Sequence, residues 1–119
     1  MQSVYDVDVI LLLATLMAAK RRHAELPEIV AGVELIQGLQ GTLPSVAKLR
    51  AAFSRLARHG LIKAEGEGFV PTSTAQELCA AATRKRSYAE QLAGIRERLA
   101  ATELADKHAD IQIEDARWS

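Results

Sequence analysis

The residues best equipped for chemistry lie within positions 44–60 of the 119-residue chain. That stretch carries Ser45, Lys48, Arg50, Ser54, Arg55 and Arg58 among alanines and a few large apolar residues. A guanidinium presents a planar fork that can grip a phosphate or the edge of a guanine with two hydrogen bonds. A lysine ammonium neutralises phosphate as a point charge, and a serine hydroxyl can bond either phosphate or a base edge. Between Glu34 and Glu65 there is no acid, and Lys63 adds a further cation to the gap. The chain as a whole holds 15 basic and 15 acidic residues, a formal net charge of +0. A protein that coats nucleic acid through net charge alone is therefore excluded, and any anion-binding face must come from local segregation of charge.

Other chemistries find less support. His23, His59 and His108 share no metal-ligand spacing with one another or with Cys79. His59, beside Gly60, reads as a helix-end residue. Cys79 is the single cysteine, so an internal disulfide is excluded, and its setting among Leu78 and alanines reads as a buried structural thiol. Gly66-Glu67-Gly68 lacks the length and the following helix start of a phosphate-cradling loop. No serine, histidine and acid form a recognisable nucleophilic motif. The expectation is a protein that is not an enzyme and uses no cofactor or metal.

The elements that must position the basic segment follow from periodicity. Apolar residues make up 49% of the chain, charged residues 25% and aromatics 4%, the balance of a folded, alanine-rich, helical domain. A first helix is expected over residues 5–22, with Ser3 or Asp6 as cap, acids Asp6 and Asp8 at its start and Lys20-Arg21-Arg22 at its end. Its apolar run, 9–19, is too short for a bilayer, which needs about 20 residues. The charge order is the reverse of a signal peptide's, so a cytoplasmic location and no membrane contact are expected. A second helix is expected over 27–37, Pro27 in its first turn and Ile29, Val33 and Ile36 on its inner face.

Gly38 and Gly41 punctuate the chain, and a third helix follows from Pro44 to the stop at Gly60, capped by Thr42 or Leu43. Val46, Leu49, Phe53 and Leu56 fall three and four apart on its apolar stripe. Lys48, Ala51, Arg55 and Arg58 form another stripe, flanked by Arg50 and Ser54; Ala47 and Ala51 keep it slim enough for a groove. Residues 61–64 and 69–71 read as strands about a Glu65–Gly68 turn. Thr72 or Ser73 caps a fourth helix running through Ala82. A last helix is expected over 87–105, with Tyr88, Leu92, Ile95 and Leu99 spaced four, three and four. The tail is short of core residues apart from Ile111, Ile113 and Trp118.

The order helix, helix, glycine-containing turn, helix, short hairpin, helix, with "RLARHGLI" leading into the hairpin and "PTSTAQEL" after it, resembles the winged helix-turn-helix domains of bacterial regulators such as the MarR and PadR families. Those families often write the second motif as Leu-Thr-Pro-x-Gly; here Val70-Pro71-Thr72-Ser73-Thr74 matches in type but not in letter. The resemblance covers roughly residues 8–82. It implies a mostly α fold with a short two-stranded wing and a C-terminal helix, in the arrangement 1–83 winged-helix domain, 84–105 C-terminal helix, 106–119 tail. It further implies transcription regulation by a homodimer on double-stranded DNA, the helix 44–59 reading the major groove through Ser45, Lys48, Arg50, Ser54, Arg55 and Arg58, and Tyr88, Leu92, Ile95 and Leu99 forming the dimer seam. The alternative for that apolar stripe is packing on the chain's own core. The two basic clusters, Lys20-Arg21-Arg22 and Arg84-Lys85-Arg86, either complement helix dipoles or flank the DNA backbone. Glu65 and Glu67 at the wing tip depart from the pattern, because phosphate repels them. They favour the runner-up: a protein-interaction module on a winged-helix scaffold that docks a protein partner instead of DNA.

Overall fold

The computed structural model describes residues 4–38 and 44–104. The Ser3, Thr42 and Leu43 cap expectations and the tail residues Ile111, Ile113 and Trp118 lie outside them. The first helix, α1 (Asp6–Ala18), is buried at every position from Asp8 to Thr15. A helix so apolar on all sides must be surrounded. It packs against α2 (Leu26–Gly38), α3 (Val46–Arg58), α5 (Tyr88–Ala101) and the second strand of the hairpin. It stops four residues before the expected Arg22, so Lys20-Arg21-Arg22 lies beyond the helix rather than in its last turn. Its N-cap is Tyr5, with no side-chain cap bond. Thr15, buried in the same helix, donates its hydroxyl to the Leu11 carbonyl at 2.8 Å, which satisfies it internally.

Helix α2 begins one residue before Pro27, and Glu28 accepts from the Glu25 N–H at 3.2 Å, closing half of a capping box. Ile29, Val33 and Ile36 face the core as their spacing predicts. Helix α3 is capped by Ser45, whose hydroxyl accepts from the Lys48 N–H at 3.2 Å. It ends in a Schellman pair: Gly60 N–H donates to the Ala57 carbonyl at 3.0 Å and Leu61 N–H to the Leu56 carbonyl at 2.9 Å.

The hairpin follows at once. Strands β1 (Ile62–Glu65) and β2 (Gly68–Pro71) pair antiparallel, Ile62 opposite Pro71 and Glu65 opposite Gly68. The two-residue loop has Gly66 at φ +60, the first central position of a type II′ turn. A bridge absent from the sequence reading completes this sheet. Ala24 N–H donates to the Phe69 carbonyl at 2.9 Å and Phe69 N–H to the Ala24 carbonyl at 2.8 Å. The segment between α1 and α2 thus lines the outer edge of β2, and the element order is that of a winged helix-turn-helix. Phe69 also meets Phe53 of α3, ring centroids 5.1 Å apart and tilted by 52°.

Thr72 ties the end of the wing to its beginning. Its hydroxyl donates to the Gly60 carbonyl at 2.5 Å and accepts from Ala75 N–H at 3.2 Å, capping α4 (Ser73–Cys79). Helix α4 is shorter than expected; the chain turns and forms a 3₁₀ turn, Ala82–Arg84, before α5. Ser87 caps α5, accepting from Glu90 N–H at 3.1 Å. Ile95 and Leu99 are fully buried in the same core as α1, and Tyr88 and Leu92 pack half-buried against it. Of the stripe expected to form a dimer seam, Ile95 and Leu99 therefore lie in the chain's own core, while Tyr88 and Leu92 sit at its edge. A four-three-four spacing states only that one helix face is apolar; here α1 needs that face as cover.

Gly68 is the tightest point of the hairpin, since a Cβ there would collide with the Ala24 carbonyl oxygen and the His23 ring. Gly68→Ala should push the bridge apart and cost about 1–3 kcal/mol, as overpacking does. Urea denaturation followed by circular dichroism measures it, and a cost below about 0.5 kcal/mol would show that the bridge does not support the wing.

Candidate nucleic-acid interface

Helix α3 divides cleanly by exposure. Leu49, Ala52, Phe53, Leu56 and Ala57 are buried. Ala47, Ala51 and Arg58 are exposed and Ser54 is half-buried; at 100° per residue these four fall within about 60° of one another and point directly away from the core. Lys48 is exposed on one flank and Arg50 is half-buried on the other. Val46, assigned by its spacing to the apolar stripe, is 43% exposed at the helix start. The outer line is thus two alanines, a serine and an arginine, with a lysine beside them.

Arg55 does not belong to this face. It shares a flank with Lys48, seven residues earlier, and turns inward toward α1. Its Nε lies 3.1 and 3.0 Å from Asp8 Oδ1 and Oδ2, and its Nη2 lies 2.6 Å from Oδ1. The Asp8 side chain is 0% exposed and that of Arg55 29%. The guanidinium carbon sits 4.5 Å from the centre of the Tyr5 ring, which covers it. The expectation of Arg55 as a reader of DNA is corrected: a buried carboxylate cannot be left without a cation, and Arg55 is that cation. One sign of this was present in the sequence. Asp8 interrupts Val7, Val9, Ile10 and Leu11, and an acid inside an apolar run needs a partner from elsewhere in the fold. Its neighbour Asp6 is held too, by Arg96 of α5, which also donates to the Val4 carbonyl at 2.9 Å. The two acids that read as dipole complements are anchors for two other helices.

Ser45 is exposed, with its hydroxyl engaged in the α3 cap. Of the six residues expected to face DNA, the structure leaves Lys48, Ser54 and Arg58 on or beside the outward line. Ser45 lies at its N-terminal end, Arg50 on the opposite flank and Arg55 inside. At the wing tip Glu65 and Glu67 are exposed. Of the two flanking clusters, Arg22 pairs with Glu28 at 3.0 Å and donates to the His23 carbonyl at 2.8 Å. Arg84, Lys85 and Arg86 are exposed around the 3₁₀ turn.

His59 is the C-cap of α3. Cys79 is buried, and burial raises its thiol from the usual value to about 11, with Arg98 opposing weakly, so the sulfur is protonated at neutral pH. Among the described residues no group of three or more His, Cys, Asp or Glu side chains could hold a metal, and no helix is long and apolar enough to cross a membrane. No protein-family model matches the chain, and the searches of curated proteins and of solved structures found no match either.

Replacing Arg55 by Met strands the Asp8 carboxylate in the core and should cost about 3–5 kcal/mol. The double change Asp8→Leu with Arg55→Met removes both charges and should recover most of that loss, as apolar replacement of buried pairs does. Urea denaturation of the three proteins checks this. Equal stability for the single and double variants would show that the pair is not what holds α3 to α1.

Proposed function

We propose that the protein is a DNA-binding regulator-like winged helix that lays α3 in the major groove. The observation that carries this reading is the outward line of α3. Ala47 and Ala51 add almost no bulk, Ser54 and Arg58 offer hydrogen-bond donors, Lys48 flanks them, and no acid occurs anywhere between Glu34 and Glu65. A helix of about 10–12 Å diameter fits a major groove about 12 Å wide only if its leading face is slim. Its place after α2 and before the wing is that of a recognition helix, and the resemblance to bacterial winged-helix regulators supports the same assignment. In this reading Lys48 contacts phosphate, Arg58 contacts phosphate or a base edge, and Ser54 bonds either. Arg55 acts only by fixing the rotation of the helix. The wing, with Glu65 and Glu67 at its tip, stays off the backbone.

The second reading, a protein-docking module, is favoured by that acidic tip. The two separate on whether charge on α3 or charge on the wing controls binding. Labelled mixed-sequence duplex DNA titrated at low salt, followed by anisotropy, should show binding that weakens steeply as salt rises, through counterion release. Charge reversal at Lys48 and Arg58 should weaken it at least about tenfold and flatten the log K against log salt slope by roughly two contacts. Replacing Glu65 and Glu67 with lysine should strengthen non-specific binding if the wing lies near the duplex. An absence of binding at low salt, or binding indifferent to Lys48 and Arg58, would overturn the DNA reading and leave the protein module.

A further inference from the structure

A groove of about 760 Å³ runs between the C-terminal end of α1, the end of β2, α4, the 3₁₀ turn and the start of α5. No residue of α3 lines it, so it is separate from the face assigned to DNA. Lys20, Arg84 and Arg86 bring three cations to its walls. Each basic cluster of the sequence therefore sends at least one member to the same concave surface, although they are more than 60 residues apart in the chain. No Asp or Glu is among the described residues lining the groove. None of the three cations is ion-paired with a described carboxylate. Leu16, Met17 and Tyr88 border the groove half-buried, each with part of its surface open.

Dipole complementation does not account for this arrangement. Helix α1 ends at Ala18 with no basic residue in its last turn, and Lys85 and Arg86 follow the 3₁₀ turn rather than close a helix. Charges of one sign around a concavity focus a positive potential into it, which selects an acidic occupant. The same chain carries an acidic segment. Residues 105–119, outside the described part, hold Asp106, Asp110, Glu114 and Asp115 against Lys107 and Arg117, together with Ile111, Ile113 and Trp118. Helix α5 has 14 residues and so spans about 21 Å. The groove lies at its start and the tail leaves from its end. About seven extended residues, at roughly 3.3 Å each, cover that distance. Residues 112–118, with Glu114 and Asp115 among them, therefore reach the cations. A short flexible tether holds such a segment at an effective concentration of the order of mM, so a weak pairing suffices to fill the groove.

We propose that this groove is the docking site of the chain's own C-terminal segment, with Glu114 and Asp115 held by Arg84, Arg86 and Lys20, and Ile113 and Trp118 laid against Leu16, Met17 and Tyr88. A guanidinium matches a carboxylate with two parallel hydrogen bonds, and two adjacent carboxylates answer two arginines. The docked segment cancels the positive potential of the groove and leaves the cations of α3 uncovered. The inference does not depend on DNA binding.

Trp118 is the chain's single tryptophan, so its fluorescence reports the tail alone. In the full chain its emission should lie to the blue of that of the isolated peptide 105–119, and acrylamide should quench it less. Both differences should be independent of protein concentration and should fade as salt screens the pairs. Arg84→Glu with Arg86→Glu should weaken docking at least about fivefold, through two lost ion pairs and the repulsion that replaces them. Emission and quenching should then approach those of the peptide, while the circular dichroism of the folded chain is unchanged. Glu114→Lys with Asp115→Lys should do the same, and the four changes together should restore the protected signal. Lys48→Gln with Arg58→Gln should leave it unaltered. The proposal is overturned if Trp118 is as exposed in the full chain as in the peptide, or if the folded charge variants protect it as the parent does. It is equally overturned if the fourfold variant restores nothing, or if protection grows with protein concentration, which would place the tail on a second copy.

Discussion

Helix α1 is buried through eight consecutive residues, and within that run sits one carboxylate, Asp8. An ionised carboxylate with no water and no cation costs several kcal/mol, so the fold must bring one to it. Arg55 of α3 supplies it in bidentate geometry, under the ring of Tyr5. That single requirement sets how α3 is turned about its axis. With Arg55 directed to α1, Phe53 and Leu56 must face the core, and Ala47, Ala51, Ser54 and Arg58 must face out. The surface available to a partner is thus fixed by the electrostatics of the interior. Asp6 repeats the arrangement at the surface, where Arg96 joins it to α5; that pair is exposed and contributes little by itself.

The wing depends on the same economy of contacts. Two strands of four residues joined by a two-residue turn are marginal in isolation. Here the hairpin is secured on three sides. The Schellman turn at Gly60 feeds β1 directly from α3, Thr72 links its far end back to Gly60, and the Ala24 backbone pairs with Phe69. Phe69 then meets Phe53 with its ring tilted, so the sheet and α3 share an aromatic contact. The tip beyond these anchors carries two exposed acids, which gives the wing a charge opposite to that of the helix it braces.

The two cationic surfaces of this neutral chain differ in shape and in what surrounds the charge. On α3 the charge sits on a convex, narrow ridge with alanines between. In the groove between α1, α4 and α5 it sits on the walls of a concavity, on Lys20, Arg84 and Arg86. The chain obtains both by segregating its charges, since its totals cancel.

Much of this could be read from residue order. Periods of three and four located α2, α3 and α5, an apolar run between charged ends located α1, Gly60 marked the end of α3, the Glu65–Gly68 turn located the hairpin, and Thr72 or Ser73 was the expected cap of α4, because each of these is settled by contacts within a few residues. The slim outer line of α3 was legible for the same reason, with Lys48, Ser54 and Arg58 in the neighbourhood expected. Partners far apart in the chain were not. Arg55 looked like a reader because its charge could be counted, while its destination, Asp8, lies 47 residues away. The Tyr88–Leu99 stripe announced an apolar face but not whose face it would meet, and the Ala24–Phe69 bridge has no local signature in either segment. The groove, likewise, exists only because folding brings residues 13–20 beside residues 71–91. Local hydrogen bonding and side-chain period determined the elements; the need to cover α1 and to neutralise the acid inside it decided which of their faces remained for function.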